Sequence, residues 1–501
     1  MIDYGFLNDF LPKYAKWICV RKTIDGSELL LENGKSSLSI RSRAEKRTFM
    51  GGTNMRKKKE KRLTVAQRMA LGFSFIILIG AILLSMPWVA KSGVAMKPVD
   101  ALFTSVSATC VTGLVVADTY TKFNIVGQVI LLFLIQIGGL GFMVLGVFLS
   151  MMLRKKIGLK DREMIHESMG TLTLSGVIRL TRKIIVGTLL FESIGAALLA
   201  IRFIPLKGFW TGVYYGIFHS ISAFCNAGFD LMGEIEEYTS FSTYVGDPLM
   251  NGVLMALITI GGLGFVVWDD LYRNRWHFRR YYLHTKIVLS MTIFLFFIGS
   301  IFFFFLEYNN EMAGMELGQR ILASMFSSVT PRTAGFNTMD TGKMTDGSKL
   351  LTMFLMYIGG SPGSTAGGIK TTTMAVVVLE IIQGIRKTKG CNVFHRRLEE
   401  DAVRKASMAA FLNLGLIFIG TLFLCAVSSI ELGDALFEVT SAMGTVGMST
   451  GITRDLNTLG KLMISFLMYC GRMGSLTLAF IFVQKRNVPP VQQPVEKIAI
   501  G

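Results

Sequence analysis

Charge is scarce in this chain. Only 17% of its 501 residues are Asp, Glu, Lys or Arg, while 51% are hydrophobic; a soluble domain carries about 25% charge. So little charge over such a length cannot surround several water-soluble cores, which excludes a soluble multidomain enzyme, and the apolar content excludes disorder. Cysteine is sparse as well. The 6 cysteines are scattered without the paired spacing of a disulfide-stapled secreted module. The 5 histidines form no ligand set: His166, His277, His284 and His395 fall in basic loops and His219 in a short apolar stretch. That gives a membrane enzyme little support. No glycine-rich phosphate loop occurs, so ATP would act through a partner.

What is present is long apolar blocks with almost no charge. They run over about 68–88, 123–153, 177–203, 249–271, 285–306, 349–385, 406–430 and 461–484. Each is long enough to cross a bilayer, which takes about 20 residues. Between the first and second, third and fourth, fifth and sixth, and seventh and eighth blocks lie shorter segments at 101–110, 212–225, 319–328 and 435–443. A stretch of that length between two spans is a re-entrant candidate.

The ends of these short segments expose an internal repeat. They read Thr109-Cys110-Val111-Thr112-Gly113, Phe224-Cys225-Asn226-Ala227-Gly228, Pro331-Arg332-Thr333-Ala334-Gly335 and Met443-Gly444-Thr445-Val446-Gly447, with the last glycines 115, 107 and 112 residues apart. A second glycine cluster follows 25, 33, 24 and 24 residues on, at Gly138, Gly261, Gly359 and Gly471. The expected fold is therefore an all-α polytopic membrane protein of four tandem span–pore-helix–span repeats, with eight transmembrane helices and four re-entrant helices around one central pore. The expected divisions are a tail at 1–66, repeats at 67–157, 176–275, 283–388 and 402–486, and a tail at 487–501.

The net charge of +18 would ordinarily point to nucleic acid. Its distribution points elsewhere. With both termini inside, the inner loops hold Arg154, Lys155, Lys156, Lys160, Arg162 and the group from Arg386 to Lys405. The outer segments hold Asp118, Asp230, Glu234, Glu236, Glu237, Glu307 and Asp340. This is the positive-inside pattern of a plasma-membrane protein with cytoplasmic termini, and no nucleic-acid partner is needed. The basic run Arg56 to Arg62 at the end of the N-terminal tail would attract anionic membrane lipids. The tail itself is expected to be a flexible cytoplasmic segment, with Met50 or Met55 as alternative starts.

Four glycine turns meeting on one axis would present carbonyl oxygens that replace the water shell of a monovalent cation. The candidate ligands are the carbonyls of Val111, Thr112, Asn226, Ala227, Thr333, Ala334, Thr445 and Val446, with Gly113, Gly228, Gly335 and Gly447 giving the turns their freedom. Re-entrant helices would aim their negative ends at the same place. No dense carboxylate cluster lies in the spans, which argues against a divalent-metal pump. For Gly141 or Gly264 alone, close helix packing explains the glycine equally well.

The segment from Gly359 to Lys370 breaks the sixth apolar block and cannot stay helical with five glycines and a proline. Its Gly359, Gly360, Ser361, Gly363, Ser364, Gly367, Gly368 and Lys370 form a candidate gate, with a simple kink as the alternative. Lys370 and Arg472 are expected to be the only strong bases well inside spans, where charge is costly and usually functional. Arg472 would face the axis below the turns or, alternatively, pair with Glu192. His395-Arg396-Arg397 beside Glu399-Glu400-Asp401 reads as a docking surface, with a solvated loop as the alternative.

The motifs Gln136-Ile137-Gly138-Gly139-Leu140-Gly141-Phe142, Leu283-His284-Thr285-Lys286, Gly359 to Lys370, Phe394-His395-Arg396-Arg397 and Gly471-Arg472 resemble those of the Trk/Ktr/HKT superfamily of potassium transporters, in its Ktr-type membrane subunit. The resemblance covers nearly everything after residue 65. It implies potassium uptake, filter glycines at Gly113, Gly228, Gly335 and Gly447, an intramembrane gating loop with Arg472 beside it, and no covalent cofactor. It also implies homodimers on a cytosolic ring of nucleotide-binding regulatory subunits, with sodium as a candidate activator. Trk-type members carry extra N-terminal spans, so the tail here favours the Ktr type. The runner-up is an ion-coupled symporter or antiporter for another small solute, against which four parallel repeats speak.

Overall fold

The computed structural model describes residues 64–141, 177–275, 277–387 and 390–482, with isolated positions 144, 146, 494 and 496. The basic run Arg56 to Arg62, His166, the loop bases Arg154 to Arg162 and nearly all of 487–501 lie outside the described residues. The chain divides into two units, Met1–Arg62 and Leu63–Gly501, and every described residue belongs to the second.

That unit is mainly helical. Its first group is α1 (Val65–Leu84), α2 (Pro98–Thr109) and α3 (Ile125–Leu140). The second is α4 (Val177–Lys207), α5 (Phe209–Phe224), α6 (Pro248–Gly262) and α7 (Phe265–Asn274). The third is α8 (Leu283–Leu306), α9 (Leu317–Val329), α10 (Asp346–Tyr357) and α11 (Thr371–Arg386). The fourth is α12 (Glu400–Val427), α13 (Leu432–Gly444), α14 (Thr458–Met473) and α15 (Ser475–Phe482). The helix after each short one starts at a side-chain cap. Asn124, Asp247, Thr345 and Asn457 accept from the N–H groups of Gly127, Leu249, Ser348 and Gly460, satisfying donors that a helix start leaves bare.

The same helices stop at glycine. Gly141, Gly264 and Gly474 have φ of 81°, 95° and 83°, a region most residues resist; α3 and α14 end one residue before theirs and α6 two residues before. The bend between α6 and α7 is 96°. In the third group a longer break, 358–370, separates α10 from α11 and contains Gly363 and Gly368 at φ of 65° and 62°. By length and apolarity alone, α1, α4, α8 and α12 could each cross a membrane, and the bent α6–α7 pair a fifth time. The other long apolar blocks are divided by these breaks.

The outward surface is apolar. Only 22–33% of the apolar window of each long helix is buried within the protein; Phe305 is 73% and Phe411 76% exposed. Faces of this kind need a hydrocarbon solvent.

The groups close into a ring. In the first, second and fourth groups the short helix packs against the helices on both sides of it, and in the third α9 packs on α8; between groups, α3 packs on α5, α6 on α9, α10 on α13, and α14 on α2. The last seam carries an ion pair between Lys461 and Asp100 at 2.7 Å. The buried core follows the short helices, with Phe103, Phe218, Phe224, Phe326 and Phe437 nearly inaccessible. One departure from an all-α chain is a two-stranded hairpin, Asn392–Val393 with Arg396–Arg397. Its turn residues Phe394 and His395 take φ of 47° and 61°, as a tight hairpin turn of this hand requires.

Candidate functional site

The four short helices α2, α5, α9 and α13 run out at the four glycine turns. Each turn shows the same backbone sequence. Val111, Asn226, Thr333 and Thr445 take φ of 57°, 60°, 74° and 52°, and two residues later Gly113, Gly228, Gly335 and Gly447 take 92°, 68°, 79° and 94°. Alternating φ sign turns successive peptide groups toward one side, making a concave polar surface from main chain alone.

A hydroxyl tethers every turn. Ser107, Ser222, Thr330 and Ser441 are buried, and their carbonyls accept from Thr112, Ala227, Ala334 and Val446 N–H at 2.8–2.9 Å. Ser107 and Ser441 Oγ also accept from Gly113 and Gly447 N–H at 3.1 and 3.2 Å. Ser222 and Thr330 donate instead to the carbonyls of Phe229 and Phe336 at 2.6 and 2.5 Å. Asn226 and Thr333 join side chains at 3.1 Å between the second and third turns. In the sequence these hydroxyls read only as small residues on short helices.

The turns close on one another in cyclic order. A Cβ on Gly113 would strike Ala227 O, and on Gly228 it would lie 2.8 Å from Ala334 O. On Gly335 it would strike Val446 O, and on Gly447 it would strike Thr112 O. Thus Thr112, Ala227, Ala334 and Val446 each set a carbonyl against the preceding turn's glycine, and no side chain fits between. The hydroxyls of Thr112 and Thr445 are buried and have no hydrogen-bond partner among the described residues. Four such carbonyls around an axis can replace water on a monovalent cation.

The second glycine clusters press on these turns. A Cβ on Gly138, Gly261 or Gly471 would collide with the carbonyl of Thr109, Phe224 or Met443, so these glycines serve close backbone packing.

In the third group the segment 359–370 takes that place and reaches across. Ser361 N donates to Gly262 O at 3.0 Å, Thr365 N to Gly261 O at 3.3 Å, and Phe265 N to Gly363 O at 2.7 Å. Ser361 and Thr371 hydroxyls bond at 3.1 Å, and Ser364 Oγ donates to Ser361 O at 2.7 Å. Gly359 and Gly360 pack against Gly367 O and the Ala366 methyl. A Cβ on Gly367 would strike the Thr445 hydroxyl, and one on Gly368 would lie 3.0 Å from Gly444 O. Lys370 Nζ donates to Ala366 O at 2.9 Å. The segment therefore lies directly against the fourth turn.

Arg472 does not pair with Glu192. Its guanidinium donates to Thr365 O and Gly138 O, and to Gly139 O at 3.1 Å, bridging the segment to the break of the first group. Glu192 instead accepts from Gln136 Nε2 at 3.0 Å. Carbonyls freed by the helix breaks supply acceptors that no residue type announces. Nor are Lys370 and Arg472 the only enclosed bases. Arg332, beside the third turn, is 9% exposed and donates to Thr292 Oγ1 at 3.3 Å. Its signal is an arginine in an otherwise uncharged turn.

On the far side of the turns from this segment lies a cavity of about 610 Å³. All four turn glycines reach it. So do Asp118, Asp230, Glu236, Glu237, Glu311 and Asp340, against the bases Lys343 and Arg454. Burial pushes the Asp230 carboxyl up to about 6, aided by the charge of Asp118 and opposed by the Met232 N–H and Ser240. The surplus of carboxylates gathers cations there. A larger cavity of about 990 Å³ lies away from the turns, between α11 and α12.

A family model described as "Cation transport protein" (TrkH) matches residues 50–489. The Ktr system potassium uptake protein B of Bacillus subtilis is 40% identical over 84% of this chain and 94% of its own length. The potassium/sodium uptake protein NtpJ of Enterococcus hirae is 38% identical over 90% of this chain and 100% of its own. Among solved structures, the potassium transporter TrkH of Vibrio parahaemolyticus matches with a TM-score of 0.67 at 18% identity, covering 85% of this chain and 87% of that one, a likeness of fold.

Proposed function

The chain belongs to the TrkH family of cation transport proteins, as a Trk/Ktr-type membrane subunit, and from that premise we propose that it takes up potassium across the plasma membrane through one central pore. The observation that carries this reading is the closed cycle of four glycine turns with a carbonyl against each glycine. On this reading the long and broken apolar helices make eight spans in the four repeats bounded above, and α2, α5, α9 and α13 are re-entrant pore helices. The carbonyls of Val111, Thr112, Asn226, Ala227, Thr333, Ala334, Thr445 and Val446 strip water from the ion. The segment Gly359 to Lys370, with Arg472, is the gate beneath.

The two potassium-uptake relatives support the substrate, and the name "Ktr system" supports a partner. We assign that partner as a cytosolic nucleotide-binding ring on which two copies of this chain sit, with the basic inner loops facing it and both termini cytoplasmic. Sodium is proposed as activator. The direct test is growth at low external potassium of cells lacking their own uptake systems, with the chain and its regulatory partner expressed. Rescue is expected; no rescue despite good membrane expression overturns the proposal.

The acidic cavity becomes the outer vestibule. Since the Asp230 carboxyl sits at about 6, it is ionised at neutral pH and neutral well below that value. Uptake should therefore fall as external pH drops from about 7.5 to about 5, and Asp230→Asn should be slower at neutral pH with a flatter profile. An equal drop in the variant would remove Asp230 from this role.

A further inference from the structure

Nine residues before each turn glycine, within each short helix, stand Thr104, His219, Phe326 and Glu438. The two polar members of larger size occupy the second and fourth groups, which face one another across the ring. Each reaches past the turn to hold the chain that follows it.

His219 is fully buried. Its Nδ1 lies 2.7 Å from Tyr215 O. A carbonyl can only accept, so the proton sits on Nδ1. That leaves Nε2 bare, and it accepts from Leu231 N–H at 3.1 Å, three residues beyond Gly228. Phe203, Phe218 and Phe241 wall the ring in at centroid distances of 5.2–5.7 Å, and Phe241 N in turn donates to Asn337 O at 2.9 Å, two residues beyond Gly335. Glu438 is also fully buried. Ser449 Oγ donates to its Oε2 at 2.7 Å, and the Thr453 hydroxyl donates to its Oε1. Ser449 follows Gly447 by two residues. By contrast, Thr104 bonds back to Asp100 O within its own helix at 2.8 Å, and Phe326 has no polar side-chain atom.

We infer that His219 and Glu438 are positioning residues for ion selection, a diagonal pair of buried braces that fix the chain leaving two of the four turns. The inference rests on the filter reading above. A buried acceptor left without its donor, or a donor without its acceptor, is costly. Each brace therefore holds its strand in one place, and with it the neighbouring ring carbonyl.

The test compares potassium and sodium uptake by full-length protein in membranes. His219→Phe and Glu438→Leu fill the space but remove the acceptor; each should lower the potassium-over-sodium preference by about tenfold. His219→Gln and Glu438→Gln keep an acceptor near the same place and should stay within about threefold of the wild type. Phe326→Leu, at the same register without a tether, should leave the preference unchanged. Well-expressed His219→Phe and Glu438→Leu variants with wild-type preference would overturn the brace assignment alone. Glutamine variants no better than the apolar ones would overturn it too, since that outcome reports packing rather than hydrogen bonding. A wild-type protein without potassium preference would instead fail the filter reading, and the braces with it.

Discussion

Gly447→Ser is expected to lower the preference for potassium over sodium by about tenfold, a change of about 1.4 kcal/mol, while leaving a protein that still reaches the membrane. Two costs act at this position. The backbone stands at φ 94°, where a non-glycine residue is strained by roughly 1–3 kcal/mol. A Cβ would also run into Thr112 O and lie 2.9 Å from Gly113 Cα. The seam between fourth and first turns must then open, and the ring can no longer match one dehydrated ion. Gly141→Ala separates the two costs. Gly141 has a similar φ of 81° but, among the described residues, no atom within 4 Å of a Cβ built there. It should reduce protein amount at most, with selectivity unchanged. Equal loss of selectivity in both variants would trace the effect to backbone strain and away from the carbonyl ring.

Arg472→Ala should raise potassium flux by about tenfold. The guanidinium ties Thr365 O of the candidate gate to Gly138 O and Gly139 O of the first group, and its charge opposes a cation on the axis. Removing it frees the segment and removes the opposing charge together. Arg472→Lys keeps the charge but lacks the planar fork that reaches both sides. It should show an intermediate rise if bridging matters and none if charge alone matters. Shortening 359–368 should also raise flux. Wild-type or lower flux in Arg472→Ala, at matched protein amount, would remove the gate assignment.

Much of this arrangement is legible in the sequence, and the part that is not has a physical reason. The four turn glycines stand out because their spacing repeats and because glycine alone takes positive φ freely. Their neighbours Val111, Asn226, Thr333 and Thr445 adopt the same hand of backbone, but they span three residue types, none of them glycine, and carry no such signal. The short helices were visible as apolar stretches ending at glycine; the expected 319–328 corresponds to Leu317–Val329 and 435–443 to Leu432–Gly444. The tethers from Ser107, Ser222, Thr330 and Ser441 were not visible, because a serine on a short helix is indistinguishable from packing filler. The partners of Arg472 are not legible for a related reason: its acceptors are main-chain carbonyls exposed by helix breaks, whereas the sequence offers only carboxylates such as the alternative partner Glu192. The hairpin at Phe394 and His395 escaped because two strand residues on each side leave no periodicity to read.

The central claim is that the ring of turn carbonyls selects a dehydrated potassium ion. It is tested most directly by reconstituting the chain with its regulatory partner in sealed vesicles. An inside-negative potential is imposed, and potassium and sodium entry are measured in the same preparation. The account predicts potential-driven potassium entry exceeding sodium entry by at least about tenfold, with the difference largely erased in Gly447→Ser. Equal entry of the two ions in the wild type, or entry unaltered in kind by Gly447→Ser, would contradict it.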